Sequence, residues 1–436
     1  MEHLLHYVWK HKLFPLKVLQ TTTGLPVEVI DPGLHNPDAG PDFFNAKLKI
    51  DGTLWVGNIE IHTLASDWYR HNHDRDRAYD SVILHVATQI DSDIRRSNGE
   101  LIPQMQLTCP EHIRNHYQEL RQADQYPCCY SVIERLPKLT IHSWLTALQT
   151  ERLEQKAAQI TARLSFCDHH WEDAFFITLS RNFGFGLNGD TFERWDKTLP
   201  YRAMDKHRDD LFQIEAFFFG QAGLLEDGEL SQKSINHSET IAPVQDDYYL
   251  RLQKEYRYLQ HKFELSRSMT SADWRFLRLR PENFPTLRLA QLAWLFQKGN
   301  VFSQLMEVET LSDVRILLTA QTTNYWKEHY TFHKRSSQKE KVMGENSLNL
   351  IIINTIVPFL YAYGQHKSDA RMCERAGRFL DELKAENNHI IRSWSMAGLP
   401  VVSAADSQAL IQLQKEYCDK RKCLFCRFGY EYLRHI

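Results

Sequence analysis

DPGLHNPDAGPDFFNAKLKIDGTLWVGNIEIHTLASDWYRHNHDRDRAYDSVILHV, residues Asp31–Val86, is the stretch that decides the fold. Its apolar runs are short, β-branched or aromatic, and turn residues bound them: Pro32-Gly33, Asp38–Pro41 and Asp51-Gly52. That punctuation predicts strands over Phe43–Ile50, Thr53–Thr63 and Ser81–Gln89. The same pattern extends outward to Leu16–Thr22 and Pro26–Asp31 on one side and Ile102–Thr108 on the other. Asn98-Gly99, between two apolar runs, predicts a hairpin or a loop. Short helices are expected in the first ten residues and between Ser66 and Tyr79.

Beyond Cys109 the period changes. Apolar residues recur at helical spacing over Pro110–Ala123, Thr140–Leu164, His169–Phe183, Arg208–Leu225, Asp246–Phe263 and Thr286–Gln297. The series continues over Leu311–His329, Ser347–Tyr363, Ser368–Lys384 and Ala404–Cys418. Breaks fall at Asp227–Ala242 and Lys334–Gly344, and residues 124–134 are the expected junction. The fold class is α+β: a mixed sheet in residues 1–130, then an all-α domain over residues 131–436.

The hairpin at Asp51-Gly52 sets what the sheet presents. A two-residue loop puts Phe43 opposite Glu60; a three-residue loop puts Asp42 there. The three-residue register is expected. It gathers Asp42, Phe44, Ala46 and Leu48 with Leu54, Val56, Asn58, Glu60 and His62 on one face, and leaves Lys47, Lys49 and Thr53 on the other. That face is apolar near the turn and polar at its mouth. Two carboxylates meeting there repel unless a cation neutralises them. Oxygen ligands with open positions suit Mg²⁺ or Mn²⁺, which polarise a phosphoryl oxygen and acidify a bound water. Asp42 and Glu60 are the expected metal ligands, His62 the group that orients or deprotonates water, and Asn58 a supporting side chain. His71, His73, Asp74, Asp76 and Asp80 form a second candidate cluster downstream, for another kind of metal hydrolase or for a solvated loop. His85 reads as a core or edge histidine.

Asp42 followed by Glu60-Ile61-His62 at the end of a strand resembles the PD-(D/E)xK nuclease superfamily, and the resemblance covers about the first quarter of the chain. It implies a restriction-endonuclease-like sheet, a divalent metal on Asp42 and Glu60, and nucleic acid as substrate. It also implies a further acidic residue, for which Glu2 and Glu28 are candidates. The departure is His62, where the superfamily carries Lys. The segments GPDFFNAKLKIDGTLWVGNIEIH, AYDSVILHV, QIEAFFFGQAGLL, RLRPENFPTLRLAQLA and CLFCRFG resemble an uncharacterised bacterial family of unknown function over most of the chain.

The 52 Lys and Arg against 55 Asp and Glu give a net charge of −3, so any nucleic-acid surface has to be local. The first residues lack the apolar stretch of a signal peptide, and no run approaches a membrane span; Leu348 to Tyr363 is expected as a buried helix. A cytoplasmic location is expected, with the eight cysteines reduced. Cys418, Cys423 and Cys426 have the spacing of a soft-metal trio for zinc or an iron–sulfur cluster, with Cys128 of Cys128-Cys129 as a fourth ligand; the alternative is buried free cysteines. Arg278, Arg280 and Arg288 are expected to pair with nearby carboxylates and fix a turn. His333–Lys341 is expected as an exposed basic loop, and Gly184-x-Gly186 is no nucleotide loop. The leading function is metal-dependent phosphodiester hydrolysis. A non-catalytic interaction protein with a degenerate nuclease-like sheet is the alternative from another class.

Overall fold

The computed structural model describes residues 2–14, 19–123, 127–226, 246–266 and 269–435. The fold is α+β, with a mixed sheet at the N-terminal end and mostly helices after it; the region expected to be all-α also carries a two-stranded antiparallel sheet, His329–Thr331 with Lys334–Arg335. The chain divides into two compact units. The first holds Met1–Trp144, Arg392–Leu399 and Leu413–Ile436; the second holds Leu145–Ile391 and Pro400–Gln412.

In the first unit helix α1 (Glu2–Lys10) precedes seven strands: β1 (Leu19–Gln20), β2 (Pro26–Asp31), β3 (Leu34–His35), β4 (Phe43–Ile50), β5 (Thr53–Leu64), β6 (Val82–Gln89) and β7 (Gln104–Gln106). Their order is β1-β2-β4-β5-β6-β7, with β3 beside β4. The first pairings are antiparallel, whereas β5–β6 and β6–β7 are parallel. A parallel pair needs a crossover. Between β5 and β6 it is made by α2 (Asp67–Arg70) and two single turns, His73–Arg75 and Arg77–Tyr79. Trp68, Tyr79, Val82, Ala87 and Ile94 pack beneath it. Asn98-Gly99 lies in the second crossover: β6 and β7 pair parallel, and the turn closes only the isolated antiparallel bridge between Arg95 and Leu101. Residues Leu16 to Val18 and the expected break at Asp227–Ala242 lie outside the described residues.

The β4–β5 turn corrects the expected register. Ile50 faces Thr53 across a two-residue turn in which Asp51 and Gly52 have φ of 47° and 80°, the positive pair that a type I′ turn requires. Lys49 therefore faces Leu54 and Lys47 faces Val56, and Leu54 and Val56 lie 60% and 58% exposed on the outer side. Ala46, Leu48 and Ile50 are buried on the inner side. A bulge between Phe43 and Ala46, with Asn45 at φ 56°, then shifts the pairing so that Phe43 faces Ile59. One extra residue in β4 thus restores Asp42 opposite Glu60 at the polar end.

Gly57 sits where β5 runs closest to the start of β6. A Cβ there would lie 2.3 Å from Cγ2 of Ile83 and 2.9 Å from the Ser81 carbonyl oxygen. Gly57→Ala is expected to destabilise the first unit by about 2 kcal/mol through overpacking; urea unfolding checks this, and an unchanged midpoint contradicts it.

After α3 (Glu111–Gln122) and α4 (Tyr130–Ile133) of the first unit, the second unit is built mainly of helices around one apolar core: α5 (Lys138–Phe166), which begins in the first unit, then α6 (Trp171–Phe183), α7 (Phe185–Asp196), α8 (Tyr201–Asp205), α9 (Leu211–Gln221) and further helices. The single helix expected over Leu311–His329 is two, Leu311–Leu318 and Asn324–Glu328. Helix Glu345–Lys367 is long and apolar enough to cross a membrane, against expectation, and 67% of its most apolar window is buried. Pro358 has no N–H for the Asn354 carbonyl four residues earlier. The helix widens to a π turn over Ile352–Ile356, and Nδ2 of Asn182 donates to that carbonyl at 3.0 Å. Lys341, expected in an exposed loop, is buried, and its Nζ donates to the carbonyls of Trp326, Lys327 and His329 at 2.7–3.1 Å. Arg288 donates to the side-chain amide oxygens of Asn283 and Gln291 at 2.7 and 2.8 Å, and these amides, in place of the expected carboxylates, fix its turn.

Candidate metal centre

The bulge and the crossover together build the site. The bulge brings Asp42 level with Glu60, and the crossover carries His71 and His73 back to the end of β5. Glu60 Oε2 accepts from the Asp42 N–H at 3.1 Å, and Asp42 Oδ2 accepts from the Ile61 N–H at 2.8 Å. One oxygen of each carboxylate is thereby fixed to backbone. The other oxygen of Glu60, Oε1, faces His73 Nε2 at 3.2 Å and His62 Nε2 at 3.5 Å. His71 Nδ1 lies 3.2 Å from the same His62 nitrogen. Among the described residues, His62, His71 and His73 form a group whose ligand atoms all lie within 4.8 Å of one another.

The two candidate clusters of the sequence therefore meet in part. Glu60, His62 and His73 are buried, while His71 is exposed and opens the site to solvent. Asp76 and Asp80 do not join it. Asp76 caps the turn at Ala78, and Asp80 accepts from the Ser97 N–H and hydroxyl at 2.9 and 2.6 Å. Asn58 accepts from the Asn45 N–H at 3.1 Å and donates to the Ser81 hydroxyl at 2.8 Å, so it braces the bulge. Glu28 is exposed, facing Lys49 across the β2–β4 pairing, whereas the Glu2 charge acts on both His6 and Glu60.

Three residues of the site, His6, Tyr79 and Trp68, are not singled out by the sequence, and a fourth, His85, is expected there only as a core or edge histidine. His85 is fully buried on β6 and its Nε2 lies 2.9 Å from His62 Nδ1. His6 on α1 puts Nε2 3.3 Å from Asp42 Oδ2. Tyr79 stacks on His73 at 3.8 Å between ring centroids, and Trp68 meets His73 and His85 edge-on. Only the β5–β6 pairing, which sets Glu60 beside His85, and the packing of α1 on β5 bring these side chains in.

The electrostatics fit a cation site. Burial, then the Asp42 charge, holds the Glu60 carboxyl well above the usual range. Burial and the surrounding histidines push His62 down to about 2, and burial pushes His85 down to about 3. His6 is raised, burial opposing and Asp42 prevailing. Neutral imidazoles are the metal-binding form. In the tautomer in which His62 Nδ1–H donates to His85 Nε2, Nε2 of His62 is left as a lone pair aimed at the cluster. This is the tautomer a ligand histidine takes from its outer partner.

Metal–nitrogen bonds of about 2.0–2.1 Å put the ligand atoms of a tetrahedral zinc-type site roughly 3.3 Å apart. The contacts of 3.2, 3.2 and 3.5 Å bracket that length. Three imidazoles with one carboxylate favour Zn²⁺ or Mn²⁺ over Mg²⁺, which selects oxygen.

A family model described as protein of unknown function (DUF2851) matches residues 2–389. The chain belongs to the DUF2851 family. No curated protein matches it, and no solved structure does. The part of this DUF2851 chain that matches takes in the whole histidine–carboxylate cluster and Cys128-Cys129, and it stops before Cys418.

Those cysteines form a separate group in the same unit of the DUF2851 chain. Cys128, Cys129, Cys418, Cys423 and Cys426 line one cavity of about 20 Å³ with Trp394, Tyr417 and Gly429. None of the five is in a disulfide. Cys109, Cys167 and Cys373 do not line it.

Proposed function

We propose that the DUF2851 chain is a metal-dependent hydrolase whose metal is held by His62, His71 and His73 with Glu60, acting on a phosphodiester. The observation that carries this reading is the convergence of three imidazoles and Glu60 Oε1 at metal-ligand spacing, with one exposed member. The metal would polarise a phosphoryl oxygen and acidify its water. Glu60 would hold the metal or take the proton of that water, His85 would orient His62, and Asp42 would position Glu60 through its N–H.

The substrate class is supported by what lies beside the carboxylates. His3, His6, Lys10 and His35 line a small cavity with Tyr7, Leu424 and Phe425, next to Asp42. Lys10, and His6, which is raised because Asp42 prevails over burial, place basic groups next to the metal ligands, as suits a phosphate ester, whereas burial pushes His35 down. Nucleic acid is the phosphodiester of first choice, with Lys10 and His6 as the local basic surface that the balanced net charge requires.

The test is cleavage of single- and double-stranded DNA, RNA and an activated aryl phosphodiester by metal-stripped protein, with Mn²⁺ or Zn²⁺ restored. The expected result is turnover that requires metal and is lost in the Asp42→Ala, Glu60→Ala double variant. Turnover of the aryl ester alone would assign a small phosphodiester in place of nucleic acid. No turnover of any substrate with metal bound would overturn the hydrolase reading.

A further inference from the structure

The cysteine cavity lies in the first unit and belongs to neither the sheet mouth nor its metal ligands. It gathers five of the chain's eight cysteines from segments nearly three hundred residues apart in sequence. We propose that Cys418, Cys423 and Cys426, with one thiolate of Cys128-Cys129, bind a structural zinc ion that ties the C-terminal segment to the first unit.

Four features point to a metal. The lining is almost all sulfur and ring, with Trp394 and Tyr417 as the side chains between the thiols. Cys129 and Cys426 are buried and the other three half-buried, all as free thiols. A central cation would hold these sulfurs as thiolates, their protons released on binding. Cys423–Phe425 is a tight 3₁₀ turn leading into helix Arg427–His435, and the Phe428 and Gly429 amides point at the Cys426 sulfur. N–H groups aimed at sulfur stabilise thiolate. Gly429 itself is held so close under the turn that a Cβ would lie 2.1 Å from the Cys423 carbonyl oxygen. Arg421 Nη1 is 3.0 Å from Cys128 Sγ and also donates to the Leu120 carbonyl. It offsets part of the charge that four thiolates carry.

The cavity favours an ion over a cluster. Its volume of about 20 Å³ has room for one water-sized body, and so for a single ion. The thiols line the cavity without three of them lying within 4.8 Å of one another, so loading turns their side chains inward. Four Zn–S bonds of about 2.3 Å then close the site with no open position, which makes it structural and not catalytic.

The experiment uses the full chain in a His62→Ala, His73→Ala background, which removes the other proposed centre. Zinc is measured by elemental analysis of the purified protein and by its release on titration with a mercurial thiol reagent. Cobalt is then restored and the thiolate-to-cobalt charge-transfer absorption recorded. One zinc per chain, released by the mercurial and replaced by cobalt with a tetrahedral thiolate spectrum, is the expected result. Adding Cys423→Ser with Cys426→Ser should abolish it, and Cys109→Ser with Cys373→Ser should not. If the first pair prevents folding, the mercurial release and cobalt spectrum of the parent decide alone. Single Cys128→Ser and Cys129→Ser variants show which thiolate is the fourth. No zinc and no cobalt–thiolate absorption, or iron with inorganic sulfide in their place, overturns the proposal.

Discussion

Glu60→Gln is expected to lower metal-dependent phosphodiester cleavage by about 100-fold or more, the scale on which a positioned base or metal-bound carboxylate contributes. Gln keeps the shape of the side chain, and its carbonyl oxygen can still accept from the Asp42 N–H that Glu60 Oε2 now holds. What it loses is the charge at the atom facing His62 and His73. Because Glu60 is only 4% exposed, removal of its charge is expected to leave stability unchanged or slightly raised. The loss of cleavage therefore cannot be put down to unfolding. Asn58→Ala is the contrasting variant. Asn58 holds the bulge by one bond to the Asn45 N–H and one to Ser81. Its loss is expected to cost about 1 kcal/mol of stability and to reduce cleavage far less than Glu60→Gln does. Full cleavage by Glu60→Gln with metal saturating would remove Glu60 from the chemistry.

Asp196→Asn is expected to reverse its effect on stability across the pH range. Asp196 is fully buried at the end of α7, accepting from the Ser180 hydroxyl at 2.5 Å and from the Tyr201 hydroxyl. Burial raises its pKa to about 7 against the opposing pull of those two hydroxyls. In the unfolded chain an Asp titrates near 3.9. The folded pKa is the higher, so the contribution of the protonated acid is complete below about pH 4 and is lost as pH rises through about 7. Three pKa units correspond to roughly 4 kcal/mol, an upper figure for a site that water can enter. Asn has no proton to lose. The variant should match or exceed the parent at pH 8, fall slightly below it at pH 5, and show a flatter stability profile between. Glu215, raised to about 8 by burial and hydrogen-bonded by Tyr248, contributes with the same sign. Urea unfolding at the two pH values measures the slope, and a slope unchanged by Asp196→Asn contradicts the assignment.

Sequence reading located β2 and β4 to the residue and most helices closely, because alternation and turn residues are local properties of the chain. The face presented by the β4–β5 hairpin was only half legible. Asp51-Gly52 suits either loop length, and nothing near Asn45 announces a bulge, since one Asn among apolar residues has many uses. The two errors cancel at Asp42 and Glu60, which is why these residues face one another although the turn differs. His71 and His73 were visible as residues but not as partners of His62, because a crossover can lie on either face of a sheet. His6 and His85 needed the packing of α1 and the parallel register of β6. The gathering of Cys128-Cys129 with Cys418, Cys423 and Cys426 is a contact between distant segments, and spacing displays only the last three.

Calorimetric titration of Mn²⁺ into metal-stripped protein tests the central claim most directly, because Mn²⁺ prefers imidazole and carboxylate to thiolate and so reports the His62, His71, His73 and Glu60 centre alone. One Mn²⁺ per chain in the parent, with affinity reduced about 100-fold or more in His62→Ala with His73→Ala, is the result the account predicts. No binding by the parent, or equal binding by the variant, would contradict it.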